Sequence, residues 1–143
     1  MKKVKKTRKS NTSEKLKRQS LFEAYVPAGF PSPAGDYEEK KLDLNKYIVK
    51  NSAATFFVRA SGDSMMDAGI YHGDLLVVDR SIEPKDKNVV IAVVNGDFTV
   101  KRIRMRKGKI SLEAENKNYE PTEIKKDMEF EVWGVVTNVI HKL

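Results

Sequence analysis

Val89-Val90-Ile91-Ala92-Val93-Val94-Asn95-Gly96-Asp97-Phe98-Thr99-Val100-Lys101-Arg102-Ile103 is the stretch that decides the fold. Six apolar residues, four of them valine, are followed by Asn-Gly and then by a second run rich in β-branched and aromatic residues. Asn-Gly is the strongest short hairpin cue, because both residues tolerate the positive φ that a two-residue turn demands. The spacing predicts strands over 89–94 and 98–103, joined by a turn at Asn95-Gly96. Outward from this hairpin the same grammar repeats. Strands are expected over 55–60, 75–78, 109–113 and 129–140, with turn signals at Gly73-Asp74 and Lys107-Gly108. Residues 42–49 and 64–71 are candidates for short helical turns. The reading is a mostly β protein, a sandwich or barrel-like fold of short strands rather than an α/β nucleotide binder.

The chain has 143 residues, enough for one domain with a real core and too few for a second full domain. No apolar run approaches the roughly 20 residues that span a bilayer. The basic start is not followed by an apolar segment of the secretory type, so a cytoplasmic protein is expected. Cysteine is absent, which excludes disulfides and thiolate metal sites. The two histidines, His72 and His141, have no ligand spacing to each other or to a carboxylate pair, and no metal or other cofactor is expected. A P-loop or other glycine-rich phosphate cradle is also missing.

The net charge of +7 is unevenly distributed: residues 1–18 carry +8, and the rest of the chain carries −1. Such a run of like charge reads as a solvated, flexible arm. Its functional counterpart is weak contact between residues 2–18 and DNA phosphates, which salt would loosen by counterion release. Next come an apolar patch, Leu21 to Val26, and Pro27-Ala28-Gly29-Phe30-Pro31-Ser32-Pro33-Ala34-Gly35, whose prolines and glycines forbid a regular helix. On its own that segment is a linker.

Chemistry enters at Ser61-Gly62-Asp63-Ser64-Met65, where a strand gives way to a turn and Gly62 permits left-handed backbone. A serine in such a turn is ordinarily a capping residue. To act as a nucleophile it needs a base. His72 and His141 lack an obvious orienting carboxylate, so no local motif supports a Ser-His-Asp triad. Lysine can replace histidine where burial lowers its pKa from about 10.4 by several units. Lys101 lies on the second arm of the hairpin, directly after the most hydrophobic strand. The ordinary alternative is a strand lysine reaching back to solvent, a role that Arg102 and Arg104 fit better.

Four segments together, Ala28-Gly29-Phe30-Pro31-Ser32-Pro33, Val58 to Met65, Gly73 to Asp79 and Phe98-Thr99-Val100-Lys101, resemble the LexA/UmuD family of self-cleaving serine-lysine peptidases, the UmuD branch in particular. The resemblance runs from about Ala28 to the C-terminus and includes the spacing between Ser64 and Lys101. It implies a LexA/signal-peptidase-like β-rich fold with a flexible N-terminal arm. Carried over, Ser64 is the nucleophile, Lys101 the general base, and the bond between Ala28 and Gly29 the target. The backbone amides of Ser64 and Met65 become candidate oxyanion donors. The organisation expected is an arm over 1–28 removed by cleavage, a connecting segment over 29–50, and the peptidase domain over 51–143.

The resemblance also implies an SOS-response protein, stimulated by a RecA filament on single-stranded DNA. The trimmed product would act as a homodimeric accessory subunit of an error-prone polymerase with a UmuC-type catalytic subunit. Three alternatives stand beside it. A LexA-type repressor needs a DNA-binding domain, and 28 residues before the cut are too few for a helix-turn-helix unit. A signal peptidase needs a membrane anchor. A non-enzymatic β-rich binding module with a basic tail would keep its function in a Ser64→Ala variant. The small residues at the cut suit cleavage, since Ala28 and Gly29 let a peptide carbonyl approach Ser64 closely, while Pro27 and Pro31 favour extended backbone.

Overall fold

The computed structural model describes residues 17–35 and 38–143. Apart from Lys17 and Arg18, the basic arm over 2–18 lies outside the described residues, and its proposed DNA contact with it. The chain divides into two compact units, one up to Ile48 and one from Val49 onward.

The first unit contains a two-stranded antiparallel ribbon. β1 (Arg18–Phe22) pairs with β2 (Glu39–Asp43), Arg18 standing opposite Asp43 and Phe22 opposite Glu39. One short helix, α1 (Leu44–Ile48), follows. Sequence reading assigned 18–22 to the arm and 39–43 to the connecting segment, because neither stretch alternates apolar with polar residues. Their pairing rests instead on backbone hydrogen bonds and polar cross-strand contacts. Lys41 Nζ donates to Ser20 Oγ at 2.9 Å, and Ser20 Oγ donates to Glu39 at 2.7 Å. Between the strands, the segment from Ala24 to Pro33 has no regular structure and is exposed.

The second unit is a seven-stranded antiparallel sheet. Its strands are β3 (Thr55–Arg59), β4 (Leu75–Asp79), β5 (Val89–Val94), β6 (Asp97–Arg106), β7 (Lys109–Glu113), β8 (Thr122–Glu123) and β9 (Phe130–Ile140), in the order β3-β4-β9-β5-β6-β7-β8. Every strand read from the sequence is present within a few residues. The two-residue β8 escaped that reading because it is too short to carry a pattern. The turn at Asn95-Gly96 has φ of 49° and 86°, and that at Lys107-Gly108 has 52° and 74°. Both connect strands through two left-handed residues, the arrangement that matches the sheet's twist. The helical turn anticipated over 42–49 is α1, and that over 64–71 shrinks to a 3-10 turn at Met66–Ala68.

The period of two along β5 splits its side chains between two apolar clusters. Ile91 joins Ala60, Met65, Ile70, Leu76 and Val78, whereas Val90 and Ala92 join Ile103, Leu112 and Val135. The first cluster lies directly beneath the serine turn, since Met65 is itself a member. β9, the third strand of the sheet, pairs with both β4 and β5 and shifts register against each, between Val77 and Val78 and between Ile91 and Ala92. Gly134 sits near these irregularities. A Cβ there would stand 2.5 Å from Val78 Cγ1, so only glycine allows the two strands to pack this closely.

Candidate active site

Ser64 follows β3 after a short irregular link in which Gly62 takes φ of +83°. That left-handed residue turns the chain away from the sheet, and Met65 then anchors it by burying its side chain in the core. Lys101 arrives from β6, opposite Val90 in the hairpin register. The structure brings the two residues together although 37 positions separate them: Lys101 Nζ donates to Ser64 Oγ at 3.0 Å.

Two more acceptors complete the lysine's surroundings. Nζ donates to Thr99 Oγ1 at 2.8 Å and to the Val100 carbonyl at 3.1 Å. Burial pushes the Lys101 ammonium below its ordinary range, because desolvation penalises the charged form. A neutral amine has two N–H donors and one lone pair. Thr99 and the Val100 carbonyl take the two donors, which leaves the lone pair for the Ser64 hydroxyl proton. The same three partners therefore suit both protonation states, with only the Ser64 hydrogen bond reversing its direction. Thr99 was read from the sequence only as a strand residue. The signal for it was its place two positions before Lys101, on the same side of the strand.

Beside these groups lies a cleft of about 410 Å³, lined by Val58, Ile70, Ile91, Phe98, Val100 and Trp133 as well as by Ser64, Met65 and Lys101. Its aromatic wall is organised by Trp133, whose ring meets Phe56 at 5.5 Å and Phe98 at 6.2 Å and lies under the Arg80 guanidinium at 4.5 Å. The cleft can accept an apolar, extended chain beside the hydroxyl. Among the described residues no carbonyl accepts from the Ser64 or Met65 N–H.

The serine turn is fastened from a loop that no sequence motif connects with it. Asn116 Nδ2 donates to the Asp63 carbonyl at 2.9 Å, and the Tyr119 hydroxyl donates to the Asp63 carboxylate. That hydrogen bond, first, and the carboxylate's charge, second, raise the Tyr119 pKa. The Asp67 N–H donates to the Glu115 carbonyl at 2.8 Å, while the Glu115 carboxylate pairs with Arg102, the residue after Lys101. Arg104 likewise pairs with Asp86 at 3.1 Å and Glu113 at 3.5 Å. Both arginines are thus held in ion pairs, where the sequence suggested plain solvation.

The histidines stand elsewhere in the network. His72 Nδ1 accepts the Gly62 N–H at 3.1 Å. His141 does have a carboxylate partner, which sequence spacing concealed: its Nδ1 lies 2.6 Å from Asp74 Oδ1. Asp74 is buried and also accepts the Tyr71 N–H at 2.8 Å. Its pKa is lowered, chiefly by the hydrogen bond to His141. Among the described residues, the side-chain partner of Ser64 Oγ is Lys101 and neither histidine. No cluster of three or more metal-binding side chains occurs among the described residues, and no described helix is long and apolar enough to cross a membrane.

Ala28 and Gly29 lie in the first unit, in the exposed irregular segment, flanked by the almost fully exposed side chains of Tyr25, Val26 and Phe30. Nothing lies within 4 Å of a Cβ built on Gly29. Such a segment offers its backbone to a protease without prior unfolding.

Comparison with known proteins gives a consistent picture. The model of the Peptidase S24-like family matches residues 20–137. Protein SamA of Salmonella typhimurium is 51% identical over 122 residues, covering 85% of this chain and 84% of its own. Protein MucA of Escherichia coli is 45% identical over 114 residues, covering 79% of this chain and 77% of its own. The LexA repressor of Shewanella piezotolerans is 40% identical over 99 residues, but those residues make up only 48% of its length.

Proposed function

The chain belongs to the Peptidase S24-like family, and on that premise we propose that it is a self-cleaving serine endopeptidase in which Ser64 is the nucleophile, Lys101 the general base, and the Ala28-Gly29 bond the substrate. The observation that carries this reading is the 3.0 Å approach of Lys101 Nζ to Ser64 Oγ beside an apolar cleft. Neutral Lys101 takes the Ser64 proton as Oγ attacks the Ala28 carbonyl carbon. The oxyanion that forms is held by the Ser64 and Met65 N–H groups, for which no carbonyl acceptor occurs among the described residues. Collapse breaks the C–N bond, and Lys101 passes its proton to the departing Gly29 nitrogen. Water, deprotonated by Lys101, then releases the Ala28 carboxylate from Ser64.

The biological setting is proposed from the resemblance to the UmuD branch. A RecA filament on single-stranded DNA stimulates the cut, and residues 29–143 then serve as a homodimeric accessory subunit of an error-prone translesion polymerase of UmuC type. An encounter between dyad and substrate segment within one assembly has a high effective concentration, and this favours a slow enzyme that waits for an activator.

Intact mass spectrometry of wild type, Ser64→Ala and Lys101→Ala, with and without RecA filaments, tests the proposal. Wild type is expected to lose residues 1–28, with either substitution slowing the loss by at least about a thousandfold. Cleavage that persists in Lys101→Ala, or a different new N-terminus, overturns it.

A further inference from the structure

The hydrogen bond from the Gly62 N–H to His72 Nδ1 has a chemical condition attached. Nδ1 accepts a proton donor only when the imidazole is neutral and carries its own hydrogen on Nε2, since in the imidazolium both nitrogens are donors. The bond is 3.1 Å long and reaches the left-handed residue two positions before Ser64. On its other side the turn is fixed through Asp63 by Asn116 and Tyr119. Gly62 is thus the point at which the turn is held by a side chain whose protonation state decides whether it can accept.

From this we infer that His72 is a positioning residue for the nucleophile: its neutral imidazole fixes the Ser61–Ser64 turn, and its protonation releases Gly62 and slows cleavage. The inference rests on Ser64 being the nucleophile. Several charged or titratable groups surround the two partners. Arg59 of β3 donates from Nη1 to the Gly73 carbonyl at 2.9 Å, and Asp63 follows Gly62. Tyr71 and Asp74 share the loop of His72, His141 beyond β9 pairs with Asp74, and Lys101 lines the same cleft as Arg59 and Gly62. His141 also carries an imidazole, so its contribution must be separated by substitution.

Asparagine provides that separation for His72, because its Oδ1 takes roughly the place of Nδ1 and does not titrate. Cleavage rates of wild type, His72→Asn and His72→Ala are compared between pH 5.5 and 8.5. At the upper end His72→Ala is expected to be slower than wild type by roughly three- to tenfold, the value of one ordinary hydrogen bond, with His72→Asn recovering most of the loss. The ratio of wild-type to His72→Asn rates, in which the lysine's own slope cancels, is expected to fall as the pH is lowered across this range. The same fall is expected in a His141→Gln background. A second measurement does not need cleavage. In the full-length Ser64→Ala chain, the Gly62 amide resonance is expected to shift when His72 is protonated, and to lose that shift when His72→Asn is added. A Gly62 amide indifferent to His72 overturns the inference, as does a pH-independent rate ratio in a protein that cleaves. If the amide follows His72 but wild type never cleaves, the positioning contact stands and the peptidase reading fails.

Discussion

The two units of this chain use the same device, antiparallel pairing, with opposite results. β1 has no buried residue and β2 only two half-buried ones, whereas β5 is buried at Val90, Ile91 and Ala92 and lies between two partners. A lone two-strand ribbon is marginal in water, because it has backbone hydrogen bonds but no apolar face to bury. A central strand with a cluster on each side is held by its side chains as well as its ladder. The proposed substrate bond belongs to the weakly held unit, and the proposed catalytic pair to the strongly held one. Division of this kind suits a self-cleaving enzyme, since the machinery must be rigid and its substrate must be able to move.

The sharpest way to break this comparison is to titrate the rigid half. Lys101 has a depressed pKa because it is desolvated, which enlarges the neutral fraction that the proposed base needs. The unstimulated cleavage rate is expected to rise about tenfold per pH unit until the lysine is neutral, and then to level off. A flat profile removes lysine as the base. The sign for stability follows from the same shift. In the window between the lowered folded pKa and the ordinary 10.5, the unfolded chain binds more protons, so folding becomes more favourable as pH rises through that window. Below the window the folded protein bears the full cost of a partly buried charge. Lys101→Met is therefore expected to abolish cleavage yet raise the melting temperature at neutral pH, with the gain shrinking towards pH 10.

Packing substitutions sharpen the contrast with smaller effects. Ile103 is fully buried in the cluster formed with Val90, Ala92, Leu112 and Val135. Ile103→Ala is expected to cost about 2–5 kcal/mol in chemical denaturation, through lost transfer energy and the cavity left behind. Gly134→Ala presses a methyl group against Val78 and is expected to cost about 1–3 kcal/mol, unless β4 and β9 separate. Both losses fall on the second unit.

The sequence made the second unit legible and the first one opaque for a single physical reason. β5 and β6 advertise themselves through β-branched runs around Asn95-Gly96, and Lys101 stands out as a cation placed after an apolar strand. β1 reads Arg-Gln-Ser-Leu-Phe and β2 Glu-Lys-Lys-Leu-Asp, neither of which carries a burial pattern, since neither is buried. The roles proposed for Ser64 and Lys101 come from the resemblance to the LexA/UmuD family, which four segments of the sequence carry. The groups that support them were not, because Asn116 and Tyr119 reach Asp63 across 53 and 56 residues with no motif of their own. His141 and Asp74 are separated by 67 residues, and nothing local announces that a buried carboxylate awaits that histidine.

The smallest expected effect tests what holds the ribbon. Lys40 pairs with Glu23 at 3.6 Å and Lys41 with Glu39 at 3.7 Å, and all four side chains are largely exposed. Exposed pairs of this kind contribute about 0–1 kcal/mol and fade with salt, because solvent screens them and ordering long side chains costs entropy. A double-mutant cycle on Glu23 and Lys40 is expected to give a coupling below about 0.5 kcal/mol. Amide exchange gives the complementary measure: β1 and β2 amides are expected to exchange orders of magnitude faster than those of β4, β5 and β9. Ribbon amides protected as strongly as the central strands would mean that the first unit is held by more than its own contacts. The substrate segment would then need an activator to free it rather than merely to capture it. Fast exchange leaves the proposed activator a different task, favouring one already accessible arrangement of the segment over the others.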